Sequence, residues 1–460
     1  MVMKQAILLL TTAWMFSVAS NAQEVATSNN WSGKLTIGQK TLYLGFEFKT
    51  QPDGKQICTM ETPDQGVKEI PVELKKNNSD SLSLIIPILK ATYKGHKTSS
   101  HCIEGEFNKN GITLPLTLKS KKIELRRPQT PIGPFAYRTK EIVFKNNAEG
   151  AELSGTLTYP NNFEAYKNGT VPVVLMVTGS GNQNRDEEIF GHKPFLVIAD
   201  FFAKNGIATL RYDDRGVGKS IGTTKGMTTE YIYADAEAGV AYLRSLKQFG
   251  KIGVLGHSEG GTIAFMMGAN KSVDFLISCA GGAANGIDII VGQNEAAMKQ
   301  QGVPQKLIND YTAALRIIYK DRISRKKIEN ESKYIEDLCQ ANGFILPEIF
   351  KSNLIKCISF AGEWLTWFLA YNPEHAIRKI KCPVMALNGD LDLQVLSEDN
   401  LPIIKDNLPP NKNNLIKKYD SLNHLFQHCT AATALNYGSI EETFSEEVLN
   451  DMVNWIHTVK

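Results

Sequence analysis

The chain has 460 residues, of which 42% are hydrophobic and 22% charged, and its formal net charge is +3. Because this length exceeds what one hydrophobic core usually fills, two domains are expected. Acidic and basic residues are interleaved along the chain, so the charge gives no reason to expect nucleic acid or a membrane surface as a partner.

Residues 1–22 predict a secretory signal peptide. A lysine precedes an apolar run from Ala6 to about Ala19, and Ser20 and Ala22 are small residues of the kind that a signal peptidase recognises. The run is short for a bilayer span and no stop-transfer charges follow it, although a retained membrane anchor is the alternative. We therefore expect an exported protein, periplasmic or extracellular, with no membrane insertion after cleavage.

The seven cysteines match neither a disulfide framework nor a zinc motif, and their odd number leaves at least one unpaired. Two arrangements are open. Cys58 with Cys102 and Cys339 with Cys357 are possible bridges in an exported protein, and seven free thiols are the alternative.

Residues 24–125 predict a small antiparallel β domain, either a barrel or a sandwich. Short alternating runs such as "TLYLGFEFK" and "SLSLIIPIL" are separated by turn sequences such as "PDGK" and "KKNNSD". The proline-rich residues 126–139 follow and predict a linker.

Residues 140–460 predict an α/β domain. Two hairpin strands come first, and then apolar runs such as "VPVVLMVTG" and "KIGVLG" alternate with helical segments. Strands that are apolar on both faces indicate a doubly wound, mostly parallel sheet covered by helices. A helical stretch at about 283–374 interrupts the alternation and predicts a cap.

The run "VLGHSEGG" contains Ser258 between a buried strand and a helix. A serine at such a sharp turn is exposed above the sheet, and Gly256 and Gly260 avoid the clashes that larger side chains would cause. A serine hydroxyl needs a histidine base that is oriented by a carboxylate. We therefore interpret Ser258 as a candidate nucleophile.

The partners are expected later in the chain, first the acid and then the histidine. "LNGDLDLQV" offers Asp390 and Asp392 after a strand, and Asp392 is preferred because a turn of the G-x-x-D shape precedes it. "LNHLFQ" offers His424. His257 is expected to pack under the serine turn, and the pair of His424 and His428 is a weak zinc alternative without a third ligand.

The oxyanion of a tetrahedral intermediate needs two backbone N–H donors. The residue after the nucleophile, Glu259, is expected to supply one, and Ser180 in "VTGSGNQN" is the candidate for the other. A merely flexible glycine-rich loop is the alternative for Ser180.

"DDRGVGKS" is similar to a phosphate-binding loop, but Asp213 occupies the position of its first glycine. Asp213 and Arg215 are expected to form an ion pair within this turn. No motif indicates a cofactor or a metal.

Taken together, "TGSGNQNRDE", "LRYDDRGVGKS", "IGVLGHSEGG", "CPVMALNGDLDLQV" and "LNHLFQ" resemble the α/β-hydrolase superfamily, in particular exported bacterial carboxylesterases with an N-terminal β domain. The resemblance covers nearly all of residues 24–460 and implies a triad of Ser258, Asp392 and His424. Relatives commonly have histidine where Thr178 stands here.

The resemblance implies hydrolysis of small-molecule carboxylic esters, with short-chain acyl esters expected, through an acyl-enzyme and without a cofactor. A serine peptidase is the alternative, although no N-terminal propeller of the kind found in proline-specific peptidases precedes Pro128. A binding protein on a non-catalytic hydrolase scaffold is the other. The sequence leaves the oligomeric state open.

Overall fold

The computed structural model describes residues 28–37, 40–123, 125–360 and 362–459. The predicted signal peptide lies outside these ranges. Within them, no helix has the length and apolar character that crossing a membrane requires.

The N-terminal part is a closed antiparallel barrel in which each strand pairs with its sequence neighbour and β1 also pairs with β8. The interior is filled by apolar side chains, among them Trp31, Phe46, Leu84 and Tyr93. The strands are β1 (Ser28–Ile37), β2 (Lys40–Thr50), β3 (Gln56–Thr62), β4 (Val67–Asn77), β5 (Ser81–Ile86), β6 (Ala91–Ser99), β7 (Cys102–Lys109) and β8 (Ile112–Lys119).

The second part contains a mixed sheet of order β16-β15-β14-β13-β11-β12-β10-β9. The pairs β9–β10 and β10–β12 are antiparallel. The six strands β11 to β16 are parallel to one another. The strands are β9 (Thr139–Asn146), β10 (Ala151–Thr158), β11 (Val173–Val177), β12 (Ala208–Tyr212), β13 (Ile252–His257), β14 (Phe275–Cys279), β15 (Val384–Gly389) and β16 (Leu415–Tyr419).

Helices connect these strands and cover the sheet, and a run of them lies between β14 and β15, where the sequence predicts a cap. They are α1 (Pro194–Lys204), α2 (Thr229–Ser245), α3 (Glu259–Ala269), α4 (Gly286–Gln300), α5 (Gln305–Ile323), α6 (Glu331–Asn342), α7 (Glu348–Ser359), α8 (Glu363–Ala370), α9 (Glu374–Ile377), α10 (Ser397–Asn407) and α11 (Glu446–Val459).

The packing of β11 explains why the central strands are apolar throughout. Val173, Leu175 and Val177 belong to one buried cluster, whereas Val174 and Met176 belong to another that includes helices α1 and α11. Successive side chains of a strand point to opposite faces, so a sheet covered on both faces buries every residue. The predicted fold class, an α/β domain with a small all-β domain, is confirmed.

The structure corrects the predicted ion pair between Asp213 and Arg215. Asp213 instead pairs with Arg185, at 2.7 Å, and Arg215 pairs with Asp235 of α2, also at 2.7 Å. Each partner comes from a distant element that packs against this turn, so the local sequence could not reveal it.

All seven cysteines lie in the described ranges and all are free. The two possible bridges are therefore not formed, and the free-thiol alternative agrees with the structure. Cys58 is buried in the barrel, whereas Cys102 lies within 3.1 Å of the Lys119 ammonium group.

Candidate active site

Ser258 stands at the tight turn between β13 and α3, with φ 54° and ψ −119°. The flanking glycines are required by close packing. A Cβ at Gly256 would lie 1.9 Å from the Gly260 carbonyl oxygen, and one at Gly260 would lie 2.1 Å from the Val177 carbonyl oxygen. Such contacts exclude any side chain, and the backbone strain at a non-glycine residue is typical of a functional position.

Asp392 and His424 meet at the same edge of the sheet, in the loops after β15 and β16. His424 Nδ1 lies 2.8 Å from Asp392 Oδ2, and both side chains are buried. Asp392 Oδ1 accepts hydrogen bonds from the N–H groups of Gln394 and Val395. Asp390, the other candidate carboxylate, is exposed. The carboxylate that orients the histidine in the structure is thus Asp392.

His257 links Ser258 to the His424 loop. Its Nε2 donates to the His424 carbonyl at 2.9 Å, and the two imidazole centroids are 4.8 Å apart. Its Nδ1 lies 2.9 Å from Glu187 Oε1. Burial alone would lower the pKa of His257, but the Glu187 carboxylate and the hydrogen bonds outweigh burial and raise it. His257 therefore has polar partners on both nitrogens, in addition to the packing that the sequence predicts.

These contacts place His424 beside the serine turn. Within the described ranges, no hydrogen bond joins the Ser258 hydroxyl to the His424 ring. Catalytic hydrogen bonds are often long before substrate binds, so this geometry is compatible with proton transfer.

The two predicted oxyanion donors flank Ser258. Glu259 is the first residue of α3, so its N–H has no acceptor inside the helix. Gly179 approaches so closely that a Cβ there would lie 3.2 Å from the Ser258 Cβ, and Ser180 follows it. In the described part of the chain, neither the Ser180 nor the Glu259 N–H donates to a protein acceptor.

Comparisons with known proteins agree with this architecture. The family model described as serine aminopeptidase, S33, matches residues 194–344, a stretch that contains Ser258. The esterase EstD of Thermotoga maritima is 22% identical over 333 residues, covering 70% of this chain and 69% of its own. Over the second part of its sequence, the chain is thus similar to esterase-type hydrolases.

Solved structures similar to this chain include esterases and a peptidase. A Pyrococcus furiosus esterase has a TM-score of 0.43 at 16% identity and covers 74% of this chain and 99% of its own. Est1E from Butyrivibrio proteoclasticus, solved with ferulic acid, has 0.40 at 18%, covering 69% and 99%. The proline iminopeptidase of Mycobacterium smegmatis has 0.42 at 15%, covering 70% and 98%.

The Glu259 side chain connects the serine turn to the helices between β14 and β15. Its Oε1 accepts from Trp364 Nε1 of α8 at 2.8 Å and also from the Thr229 hydroxyl at the start of α2. Burial raises the pKa of this carboxyl, and the two hydrogen bonds oppose the rise. The position of α8 is therefore coupled to the residue that supplies an expected oxyanion donor.

Thr178, the position at which the resemblance implies histidine, contacts the residue after Asp213. Its hydroxyl donates to the buried Asp214 carboxyl at 3.3 Å, and the Gln183 N–H donates to Asp214 Oδ2 at 2.8 Å. Burial raises the pKa of Asp214 to about 8, although the two hydrogen bonds oppose the rise. Asp214 is thus protonated in the folded protein over much of the neutral range.

Asp214→Asn is expected to remove a pH dependence of stability. Since the folded pKa is raised from 3.8 to about 8, the folded state binds an extra proton between these values. Stability is then lost as pH rises, by about 1.4 kcal/mol per unit. The variant should match the wild type near pH 4 and be more stable at pH 8, as measured by denaturant unfolding.

The exposed Asp420 provides the matched control. Asp420→Asn should leave the pH profile of unfolding unchanged. If Asp214→Asn unfolds with the wild-type slope between pH 4 and pH 8, Asp214 is not the group that binds the extra proton.

The sequence assigns no role to several polar residues of the site, although Glu187 and Gln394 lie within quoted motifs. Glu187 accepts from the Gly179 N–H at 2.8 Å as well as contacting His257. Gln394 donates to the Tyr437 hydroxyl, and Trp364 contacts Glu259. A buried histidine next to a serine turn needs polar partners, and that requirement was the available signal for Glu187.

Proposed function

We propose that the protein is a serine carboxylesterase that cleaves small-molecule esters through Ser258, His424 and Asp392. The observation that carries the proposal is the hydrogen bond of 2.8 Å between His424 and the buried Asp392, beside a serine at a strained strand-to-helix turn. A histidine oriented in this way can act as the general base that a serine hydroxyl requires.

The reaction proceeds by acyl transfer. His424 Nε2 removes the proton of the Ser258 hydroxyl as its oxygen attacks the ester carbonyl, and Asp392 stabilises the resulting imidazolium. The Ser180 and Glu259 N–H groups stabilise the oxyanion. His424 then protonates the leaving alcohol. His424 then removes a proton from water as the water attacks the acyl-serine, and it returns that proton to the Ser258 oxygen as the acyl–oxygen bond breaks and the acid leaves.

The start of α3 at Glu259 adds to this stabilisation. The N-terminus of a helix carries a partial positive charge, which favours negative charge on the bound oxygen.

We expect short-chain acyl groups, and we propose that the protein is exported and acts in the periplasm or outside the cell.

A serine peptidase is the second candidate, because the matching family model is described as serine aminopeptidase, S33. The same three side chains cleave amides and esters. The esterase is preferred because the Thermotoga maritima relative, which is similar over 70% of this chain, is named an esterase.

One experiment on the purified protein tests the proposal. A fluorophosphonate probe, which reacts with activated serines, should label Ser258, as located by peptide mass spectrometry. Short-chain p-nitrophenyl esters should be turned over with a higher kcat/KM than aminoacyl and dipeptidyl anilides. The reverse preference would favour the peptidase, and the absence of both labelling and turnover would favour a non-catalytic scaffold.

A further inference from the structure

The segment between β8 and β9, residues 125–138 with no helix or strand, is called the linker here. Its Arg127 contacts two parts of the hydrolase domain. One guanidinium nitrogen donates to the Phe190 carbonyl at 2.7 Å and to the Gly438 carbonyl at 2.6 Å, and another donates to Ile440 at 3.0 Å. The carbonyls are distant from Arg127 in sequence, so one side chain joins the linker to two loops.

Gln129 of the linker makes a second connection to the same region. Its Oε1 accepts from the N–H groups of Thr443 and Phe444, at 2.6 and 3.0 Å, and its Nε2 donates to the Phe444 carbonyl at 2.7 Å. Both side chains thus bind residues 437–445, named the 437–445 segment here.

The 437–445 segment contacts the loop that carries His424. The Ser445 N–H donates to the Phe426 carbonyl at 2.8 Å, and Gln427 Nε2 donates to the Glu442 carbonyl at 2.9 Å. The side chain of Gln427 also accepts from Asn423, the residue before His424, at 3.0 Å. Asn423 and Gln427 are fully buried, so the loop has little freedom to move independently of the segment.

The opposite end of the segment contacts the barrel and the acid loop. A Cβ at Gly438 would lie 2.3 Å from the carbonyl oxygen of Asp64, in the turn between β3 and β4. The neighbouring Tyr437 hydroxyl accepts from Gln394 at 2.9 Å, and the Gln394 N–H donates to Asp392.

The Phe190 carbonyl belongs to the turn closed by Ile189 and His192, which follows Glu187 in the chain. Glu187 binds both the Gly179 N–H, next to the expected oxyanion donor, and His257. Arg127 is therefore connected to the loop of the expected oxyanion donor through the turn around Phe190. It is connected to the His424 loop through the 437–445 segment.

We propose that Arg127 and Gln129 are positioning residues, through which the linker and the barrel fix the loops that carry His424 and the oxyanion donor. The inference rests on the proposed function for its catalytic consequence. The barrel then contributes rigidity to the site through the turn between β3 and β4, where Asp64 lies against Gly438.

Arg127→Ala and Gln129→Ala in the full chain test the proposal. Loss of position by about 1 Å can cost up to about 10²-fold in rate. We therefore expect kcat for a short-chain ester to fall by about 10- to 100-fold, with KM within about threefold. Amides of residues 421–429 should exchange hydrogen faster than in the wild type. Arg126→Ala is the matched control. The Arg126 side chain is exposed, and its one ion pair in the described part of the chain reaches the same segment at the exposed Glu441, where such a pair contributes little to stability.

Wild-type values of both kcat and amide exchange in the folded double variant would overturn the proposal, as would an equal loss in Arg126→Ala. If Arg127→Ala fails to fold, Gln129→Ala gives the same two measurements with a smaller change. Failure of the proposed function is distinguishable, because the wild type would then show no turnover or Ser258 labelling, while amide exchange would still decide whether the linker fixes the loop.

Discussion

Alanine in place of Ser258 is expected to lower kcat for a short-chain ester by about 10³- to 10⁶-fold, with little change in KM. The substitution removes the oxygen that forms the acyl-enzyme, and water would have to attack the ester directly. The free N–H groups of Ser180 and Glu259 remain, so some stabilisation of the oxyanion persists. Steady-state kinetics with p-nitrophenyl acetate measure the loss.

Ser180→Ala is the matched control for this variant. It also removes a hydroxyl next to the site, but it keeps the backbone N–H that is the expected oxyanion donor. Its kcat should stay within about threefold of the wild type, since the backbone donor supplies the stabilisation. Hydrolysis by Ser258→Ala at the wild-type rate, in protein purified free of other esterases, would contradict the nucleophile assignment.

The sequence predicts the α/β domain better than the barrel, for a physical reason. Strands such as β11 and β13 are buried on both faces and form continuous apolar runs. In the barrel only one face is buried. Strand β4 has the sequence "VKEIPVELKKN", in which a few inward residues alternate with charged ones. The strands β3, β4, β6 and β7, whose buried and exposed residues alternate, therefore give a weaker signal than continuous apolar runs.

The residues of the candidate site fall into two groups, those that a sequence motif indicates and those that only the fold brings near. The sequence predicts Ser258, Asp392 and His424 as site residues because each occupies a motif position after a strand, and the structure brings Asp392 and His424 into contact. The contacts of Arg127 and Glu187 are not predictable from the sequence, since they involve carbonyl and N–H groups that only the folded chain brings near. The predicted ion pair between Asp213 and Arg215 is wrong for the same reason. Arg215 pairs with Asp235 of α2, which is distant in sequence and comes close only in the folded chain.

Asparagine in place of Asp392 is expected to lower kcat by about 10⁴-fold with the fold intact. The carboxylate accepts from His424 Nδ1 at 2.8 Å, which keeps the proton on Nδ1 and leaves Nε2 free to act as the base. An asparagine has nearly the same shape, but its amide group can donate to Nδ1. The imidazole would then carry its proton on Nε2, so this nitrogen could no longer accept the proton of the Ser258 hydroxyl in the proposed reaction. The pH profile of kcat/KM measures the loss at each pH.

Asp390→Asn is the control, since it makes the same chemical change two residues earlier at an exposed position. Its kcat should stay close to that of the wild type. Unfolding midpoints of the two variants separate a loss of catalysis from a loss of structure, because Asp392 also accepts from the Gln394 and Val395 N–H groups. A larger loss in Asp390→Asn than in Asp392→Asn would contradict the assignment of Asp392 as the orienting carboxylate. The opposite order is expected because Asp392 is buried against His424, whereas Asp390 is exposed.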